Sequence, residues 1–264
     1  REKTFKIGLI GRAAAIFRVG EIIVFPDLPG VDQSRDANLI STILSYMETP
    51  QYLRKRLFKI RPELRYAGVL PPLRTPHHPV SDRTEHLTIG EYREGIVTSS
   101  FKGGSFVDIG VERPVLVPNA RPLIETRVTV RITQLGKRPK AALASRDEVK
   151  TYWGYRVTVS DVPFGRLVKN RSFDLVIATS RYGTPIMSVI DELVRRWERS
   201  RTILVAFGAP AEGLYEIVAR ERLKLDEVAH FVVNTIPGQG TETVRTEEAV
   251  YATLACLGLF ISEA

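Results

Sequence analysis

The stretch "VVNTIPGQGTETVRTEEAVYATLACLGLF", residues 232–260, decides how the fold is read. It runs from an apolar, β-prone segment into Asn234, then through a bend with Pro237, Gly238 and Gly240, and then through two acids, Glu247 and Glu248, into a helix that is apolar on almost every side. A strand, a glycine-rich loop and a helix in that order belong to a parallel α/β sheet, where ligands bind outside the carboxyl ends of the strands. The phosphate-loop pattern G-x-x-x-x-G-K-[ST] is absent, and "GQGTET" has one G-x-G without the rest of a dinucleotide fingerprint. Thr246 reads as the helix N-cap, with Glu247 and Glu248 placed to favour the helix dipole.

The same pattern recurs upstream. "FDLVIATS" (173–180) and "RTILVAFGAP" (201–210) read as buried strands, and "IMSVIDELVRRWERS" (186–200) and "GLYEIVARERL" (213–223) as the helices between them. Each strand ends in a loop of small residues: "ATSRYGTP" (178–185), "AFGAPAEG" (206–213) and "NTIPGQGTET" (234–243). Three such loops side by side offer backbone N–H and C=O groups to an adenosine-like ligand, and taken singly each is also an ordinary β-to-α turn. Toward the amino end, residues 2–19 read as a helix with Phe5, Leu9, Ala13 and Phe17 on one face. "EIIVF" (21–25) follows as a strand and 35–47 as a second helix. Strands alternating with helices predict a parallel sheet with helices on both faces.

Between these halves the texture changes. "PPLRTPHHP" (71–79) reads as a linker, and "EYREGIVTS", "SFVDIGVERPVLV", "TRVTVRITQ" and "YRVTVS" as short alternating strands. They predict a small closed barrel, OB-like, over 75–160, inserted in an α/β domain formed by 1–74 and 161–264.

Formal net charge is +8, which favours a polyanionic partner such as RNA. The basic residues lie in two runs. Arg54, Lys55, Arg56, Lys59, Arg61, Arg65 and Arg74 face a single acid, Glu63; Arg127, Arg131, Lys137, Arg138 and Lys140 sit on the barrel with Tyr92, Phe101 and Phe106 as candidate base-stacking aromatics. Either run is equally a solvated face, and each aromatic a barrel-core residue. Cys256 is the only cysteine, so no disulfide framework exists; that fits a reducing compartment, the cytoplasm or, in a eukaryote, the nucleus and nucleolus. Of the four histidines, His77 and His78 sit in the proline-rich linker without a cysteine or carboxylate at ligand spacing, and no metal site is expected. The longest uncharged run, Ala249–Ser262, is well short of the roughly 20 residues of a membrane span.

Three motifs together resemble a known family. "IGRAAAIFRVGEIIVF" (10–25), "LVAFGAPAEGL" (204–214) and "VVNTIPGQGTETVRTEEAVYATLA" (232–255) look like the three motifs of SPOUT RNA methyltransferases, in the archaeal and eukaryotic branch that carries an OB-like insertion. The resemblance implies a deep trefoil knot in the carboxyl-terminal part and a homodimer. It also implies bent S-adenosyl-L-methionine as methyl donor and S-adenosyl-L-homocysteine as product. The cofactor loops then fall on Thr179, Ser180 and Arg181, on Phe207, Gly208, Ala209 and Gly213, and on Asn234, Thr235, Ile236, Pro237, Gly238, Gly240, Thr241 and Val244. Arg12 matches the first-motif arginine and is one catalytic candidate, although Lys6 stands where SpoU-type relatives carry Asn. Arg245, just after the third loop, is the other; both are also readable as helix-flanking residues.

The expected activity is methylation of RNA, ribosomal by resemblance, on a base nitrogen of uridine or on a ribose 2'-hydroxyl. The alternative is an RNA-binding ribosome-assembly factor that keeps the fold without the chemistry. The apolar girth of 249–261 calls for burial on two sides, which the chain's own sheet and a second subunit supply. A parallel α/β domain does not begin on an unpaired helix, so a further strand is expected upstream of Arg1.

Overall fold

The computed structural model describes residues 1–259 of the chain. The amino-terminal part holds α1 (Glu2–Ile16), β1 (Glu21–Val24), α2 (Ser34–Glu48) and α3 (Gln51–Leu57). A barrel of β2 (Tyr92–Phe101), β3 (Gly104–Asp108), β4 (Val115–Pro118), β5 (Arg127–Gln134) and β6 (Lys140–Ala144) follows. Then come β7 (Arg156–Val159), α4 (Phe164–Arg171), β8 (Leu175–Pro185), α5 (Ile190–Trp197) and β9 (Ile203–Ala206). The chain goes on through α6 (Leu214–Ala219), α7 (Leu225–Val228), β10 (Phe231–Asn234) and α8 (Thr246–Gly258). Residues 260 and 261, expected in the last helix, lie outside the described residues.

Strand β8 is central to a parallel sheet in the order β10-β8-β9. Alternation along it serves two cores. Val176, Ala178 and Ala206 pack with Phe164 of α4, Leu214 and Ile217 of α6 and Leu225 of α7. Leu175, Ile177, Phe231 and Val233 pack with Leu193 of α5 and Leu257 of α8. Helices thus cover both faces of this sheet, as near-continuous apolar strands require. The sheet is not continuous with β1, however: β1 pairs with β7 in a separate two-stranded parallel ladder, and β1 and β9 both line one cleft of about 2040 Å³. The alternation of strands and helices implied parallel pairing but carried no information about which edges meet.

The barrel closes in the order β2-β3-β4-β6-β5 around Val97, Val107, Ile109, Val115, Val117, Val130 and Ile132. "YRVTVS" is not one of its strands. It forms β7, in register with β1 from Glu21↔Arg156 to Val24↔Val159. Tyr155 explains the placement: its ring is buried between α1 and α2, and its hydroxyl donates to the Leu44 carbonyl at 3.2 Å.

Helix α1 also packs differently from the expected Phe5–Phe17 stripe, since Phe5 is 47% exposed. The buried face runs through Ile7, Gly8, Gly11 and Ala14. A Cβ at Gly11 would lie 2.8 Å from the Tyr155 hydroxyl and 3.0 Å from Leu44, so the missing side chain is what lets α1 sit against α2. The helices α3, α4 and α7 went unread in the sequence because they are short and flanked by polar residues. The proline linker is ordered: His77 and His78 both donate Nε2–H to the Glu48 carbonyl, at 2.7 Å each. Burial and the neighbouring His77 push His78 down to about 4, which keeps it neutral in this role.

A buried ion network joins the barrel to α2. Arg127 of β5 donates to Glu48 at 2.6 Å and to Glu94 at 2.6 Å, and Arg146 donates to Glu48 at 3.1 Å. Glu94 also accepts from Trp153 Nε1 and from Thr129, each at 2.6 Å. Burial opposes ionisation of Glu48, but the hydrogen bond from His77 and the charge of Arg127 outweigh it and hold the carboxyl at about 2. Because that value lies below the unfolded one near 4.5, the stabilisation is complete above pH 4.5 and is lost as pH falls toward 2.

Two outcomes follow for urea denaturation. Glu48→Gln, which leaves Arg127 and Arg146 short of a buried partner, lowers stability at neutral pH by about 3–5 kcal/mol and makes the loss of stability below pH 4.5 shallower than in the wild type. Gly11→Val costs about 1–3 kcal/mol by overpacking, whereas Gly20→Ala, with nothing within 4 Å of the added carbon, stays close to neutral.

Candidate functional site

The carboxyl ends of β8, β9 and β10 lie together because all three strands are parallel and adjacent. Between β8 and β10 the pairing runs Ile177↔Phe231 and Ala178↔Val232, then resumes at Thr184↔Val233 and Pro185↔Asn234. Residues 179–183 therefore leave the ladder and return to it within one step of β10. Read from sequence, 178–185 is a loop; in the structure it is an excursion inside a strand. Its return depends on Gly183, where a Cβ would stand 2.7 Å from the Val233 carbonyl carbon.

Side chains tie the three segments together. Thr179 Oγ1 donates to the Ala206 carbonyl at 2.9 Å. Asn234 Nδ2 donates to the Arg181 carbonyl at 3.0 Å, and its Oδ1 accepts from the Ile236 amide at 2.9 Å. Arg181 in turn reaches the Glu242 carbonyl at 2.9 Å and the Tyr182 hydroxyl at 2.7 Å. Thr246 Oγ1 closes the set on the Gly208 carbonyl at 3.4 Å. Thr246 is the first helical residue and not the N-cap. Arg245 takes that position, and its amide donates to Glu248 Oε2 at 2.9 Å.

The loops have room and unspent backbone groups. Apart from a hydrogen-bonded turn at Pro237 and Gly238, no backbone-to-backbone hydrogen bond is found within 235–244 or 207–212 among the described residues. Gly238, at φ +74°, and Gly240 both border open space, so their missing side chains leave the third loop accessible to a ligand. Gly208 is needed by its own turn, since a Cβ there would meet the Glu212 carbonyl oxygen at 2.8 Å. Half-buried Phe207, Ala209, Ile236 and Val244 offer apolar faces beside these amides. Ser180 accepts from the Tyr182 amide at 3.1 Å and Thr235 pairs with buried Thr253 at 2.8 Å, so both shape the loops from within. Pro237, Gly213 and Thr241 are exposed. This set fits a nucleoside with a short polar tail: apolar walls for a purine and free amides for its edge and for a carboxylate. The 2040 Å³ cleft reaches Phe207–Pro210 but is lined by neither of the other two loops, so it is a separate feature. Sequence reasoning missed Gln239, which donates to the carbonyls of Thr241 and Glu242 at 2.9 and 3.2 Å. Its place between two glycines was the only available signal.

The two arginine candidates differ. Arg12 donates Nη1–H to the carbonyls of Pro72, at 2.8 Å, and of Leu73. It fastens the linker to α1 through that one nitrogen. Arg245 is exposed, and its side chain makes no hydrogen bond or ion pair among the described residues. Lys6 pairs with Glu2 one turn earlier on α1, at 2.5 Å.

The basic candidates also divide. Arg127 is held in the buried network between Glu48 and Glu94 and is unavailable to an outside ligand. Arg54 lies 4.5 Å over the Tyr46 ring and donates to the Thr49 carbonyl at 2.8 Å; Arg56 faces Asp108 and Glu125 at 3.9 and 3.6 Å. Lys55, Lys59, Arg61, Arg131, Lys137 and Arg138 are exposed, and Lys140 is half-buried. Tyr92 packs edge-on against Trp153, while Phe101 and Phe106 are exposed. Among the described residues, no three His, Cys, Asp or Glu come together as a metal site, and no helix is long and apolar enough to cross a membrane.

Known proteins are similar to this chain over nearly its whole length. A family described as "Putative RNA methyltransferase" matches residues 1–257. An uncharacterised protein of Haloarcula marismortui is 37% identical over 98% of this chain and 93% of its own length. The 28S rRNA (uridine-N(3))-methyltransferase of Homo sapiens is 35% identical over 97% of this chain and 72% of its own length. Its Drosophila melanogaster namesake is 32% identical over 97% of this chain and 58% of its own. With its three motifs in place and its length so nearly covered, the chain belongs to this SPOUT-type family of RNA methyltransferases.

Proposed function

We propose that the protein transfers a methyl group from S-adenosyl-L-methionine to N3 of a uridine in ribosomal RNA. The observation that carries this reading is the meeting of three loops at the carboxyl ends of β8, β9 and β10, with the open glycines of the third facing unspent backbone amides. The uridine target rests on the names of the human and fly relatives. When bound, the cofactor supplies an electrophilic methyl group on a sulfonium. The chain's part is to hold and orient: residues 207–213 and 234–244 enclose the nucleoside, Asn234 and Arg181 keep their loops in register, and Arg245 faces the RNA backbone or the cofactor carboxylate. Arg12 holds this chain's linker through Nη1. The uracil gives up its N3–H proton to solvent as N3 takes the methyl group and the sulfonium becomes a thioether, and in-line placement of that nitrogen is the main source of rate.

In this reading the return of residues 179–183 across Val232 and Val233 is part of a trefoil knot, with the third loop threaded beside it. The α/β unit, 1–74 and 161–264, performs the transfer, with β7 at its boundary belonging to it. The OB-like barrel of 75–160 binds RNA. A second copy covers α8 and its neighbour α1, whose Phe5 and Ile16 are 47% and 49% exposed and whose α8 counterparts Tyr251, Ala252 and Leu254 are half-buried.

Titration calorimetry tests the site. The wild type binds S-adenosyl-L-methionine, and Gly238→Val, forced to hold φ +74° with a β-branched side chain, loses at least about tenfold in affinity. Absence of binding at roughly millimolar cofactor by the folded wild type overturns the reading. Asn234→Ala, which releases both the Arg181 carbonyl and the Ile236 amide, raises hydrogen exchange in 179–183 and 235–244 and weakens cofactor binding.

A further inference from the structure

The barrel carries a surface that the methyl-transfer site does not use. Strand register places Ser99 opposite Phe106, Phe106 opposite Leu116, and Leu116 opposite Lys140. Their strand neighbours Val107, Val115, Val117 and Ala141 fill the barrel core, so this transverse row points outward. Phe101 lies beside the row with its ring stacked on Phe106, centroids 5.6 Å apart and planes 27° apart. The two rings are 46% and 39% exposed.

Charge completes the surface. The turn from β5 to β6 carries Lys137 and Arg138, next to Lys140 at the end of the row. None of these three side chains makes a hydrogen bond or ion pair among the described residues. The segments that build the face, 97–107, 114–124 and 128–146, contain no acid at all. Two stacked, solvent-exposed rings beside unpaired cations match an unpaired nucleobase and its flanking phosphates. A duplex keeps its base faces covered and gains nothing from the rings.

We propose that this face, Phe101, Phe106 and Leu116 with Lys137, Arg138 and Lys140, is a binding site for single-stranded RNA, separate from the three-loop site. It rests on the RNA substrate of the family and deepens the proposed function by naming the form of RNA the barrel takes. A base stacks on the Phe101–Phe106 pair, and the phosphates beside it run along the cations toward the β5–β6 turn. The enzyme thus grips an unpaired stretch of the substrate at a distance from the nucleotide it methylates.

Fluorescence anisotropy on the full chain, without cofactor, tests this with a labelled single strand of about ten nucleotides and a hairpin duplex of equal length. The double variant Phe101→Ala/Phe106→Ala raises the single-strand Kd at least about tenfold and leaves duplex binding unchanged. Phe106→Tyr, which keeps a stacking ring, retains wild-type affinity. The triple variant Lys137→Gln/Arg138→Gln/Lys140→Gln lowers the slope of log Kd against log salt by about 2 for the single strand. Calorimetry with S-adenosyl-L-methionine runs in parallel: unchanged cofactor binding by these variants excludes misfolding and keeps failure of this site distinct from failure of the cofactor site. Wild-type single-strand affinity in the double alanine variant overturns the proposal. So does an equal loss for duplex and single strand. Self-association of the wild type in sedimentation, abolished by the same two substitutions, overturns it in favour of a protein interface.

Discussion

Strand β8 is hydrogen-bonded on both edges to strands that run the same way, and the candidate site depends on that arrangement. Parallel neighbours must finish at the same end of a sheet, so the chain segments that leave β8, β9 and β10 have to cross the same small region. The helices that return the chain cover the two faces, which keeps the sheet buried and leaves its carboxyl edge as the free surface. The register break opposite Val232 and Val233 adds a further constraint. It sends 179–183 out and back through a gap that only Gly183 fits, and so brings Asn234, Arg181 and the Glu242 carbonyl within reach of one another.

A second constraint fixes the barrel. Glu48 at the end of α2 and Glu94 of β2 share Arg127, and Arg146, Trp153 and His77 complete the set. Such a network is expensive to bury and costs more to break than to keep, so its effect is to hold a particular docking of barrel on helix. The same pairing explains how the positive charge is distributed. Arg54 and Arg127 are held by buried or part-buried partners and Arg56 faces two acids at the surface, whereas Lys55, Lys59 and Arg61 and the β5–β6 turn cations Lys137 and Arg138 make no ion pair among the described residues. Net charge alone reported the excess; only partner geometry separates the cations that hold the fold from those that face outward.

Much of the α/β part was legible. The strands at 173–180 and 201–210, the β-prone run into Asn234, the helices at 186–200 and 213–223 and the two later small-residue loops follow from periodicity and from glycine placement, whereas 178–185 lies within β8. The barrel was legible as a run of alternating strands. What escaped has physical reasons. "YRVTVS" has the same alternation whether it closes a barrel or lies beside β1, and the deciding contact, Tyr155 against α2, is long-range. The packing face of α1 is made of Gly8 and Gly11, which a search for large apolar residues passes over. Arg12 sits in a recognisable motif, yet its partners are carbonyls in a linker some 60 residues on, |i−j| = 60 and 61, which no local pattern reveals. Asn234 and Arg181, by contrast, were readable as loop residues, and the structure adds that they hold two loops together.

The chain therefore combines an α/β unit whose parallel strands gather three loops, a barrel locked to it by buried charge, and membership in a family of RNA methyltransferases. The direct measurement incubates the protein with methyl-labelled S-adenosyl-L-methionine and ribosomal RNA from cells lacking this gene, digests the RNA to nucleosides and separates them by chromatography. The account predicts label in 3-methyluridine. Label in a 2'-O-methyl nucleoside, or RNA that stays unlabelled, contradicts it.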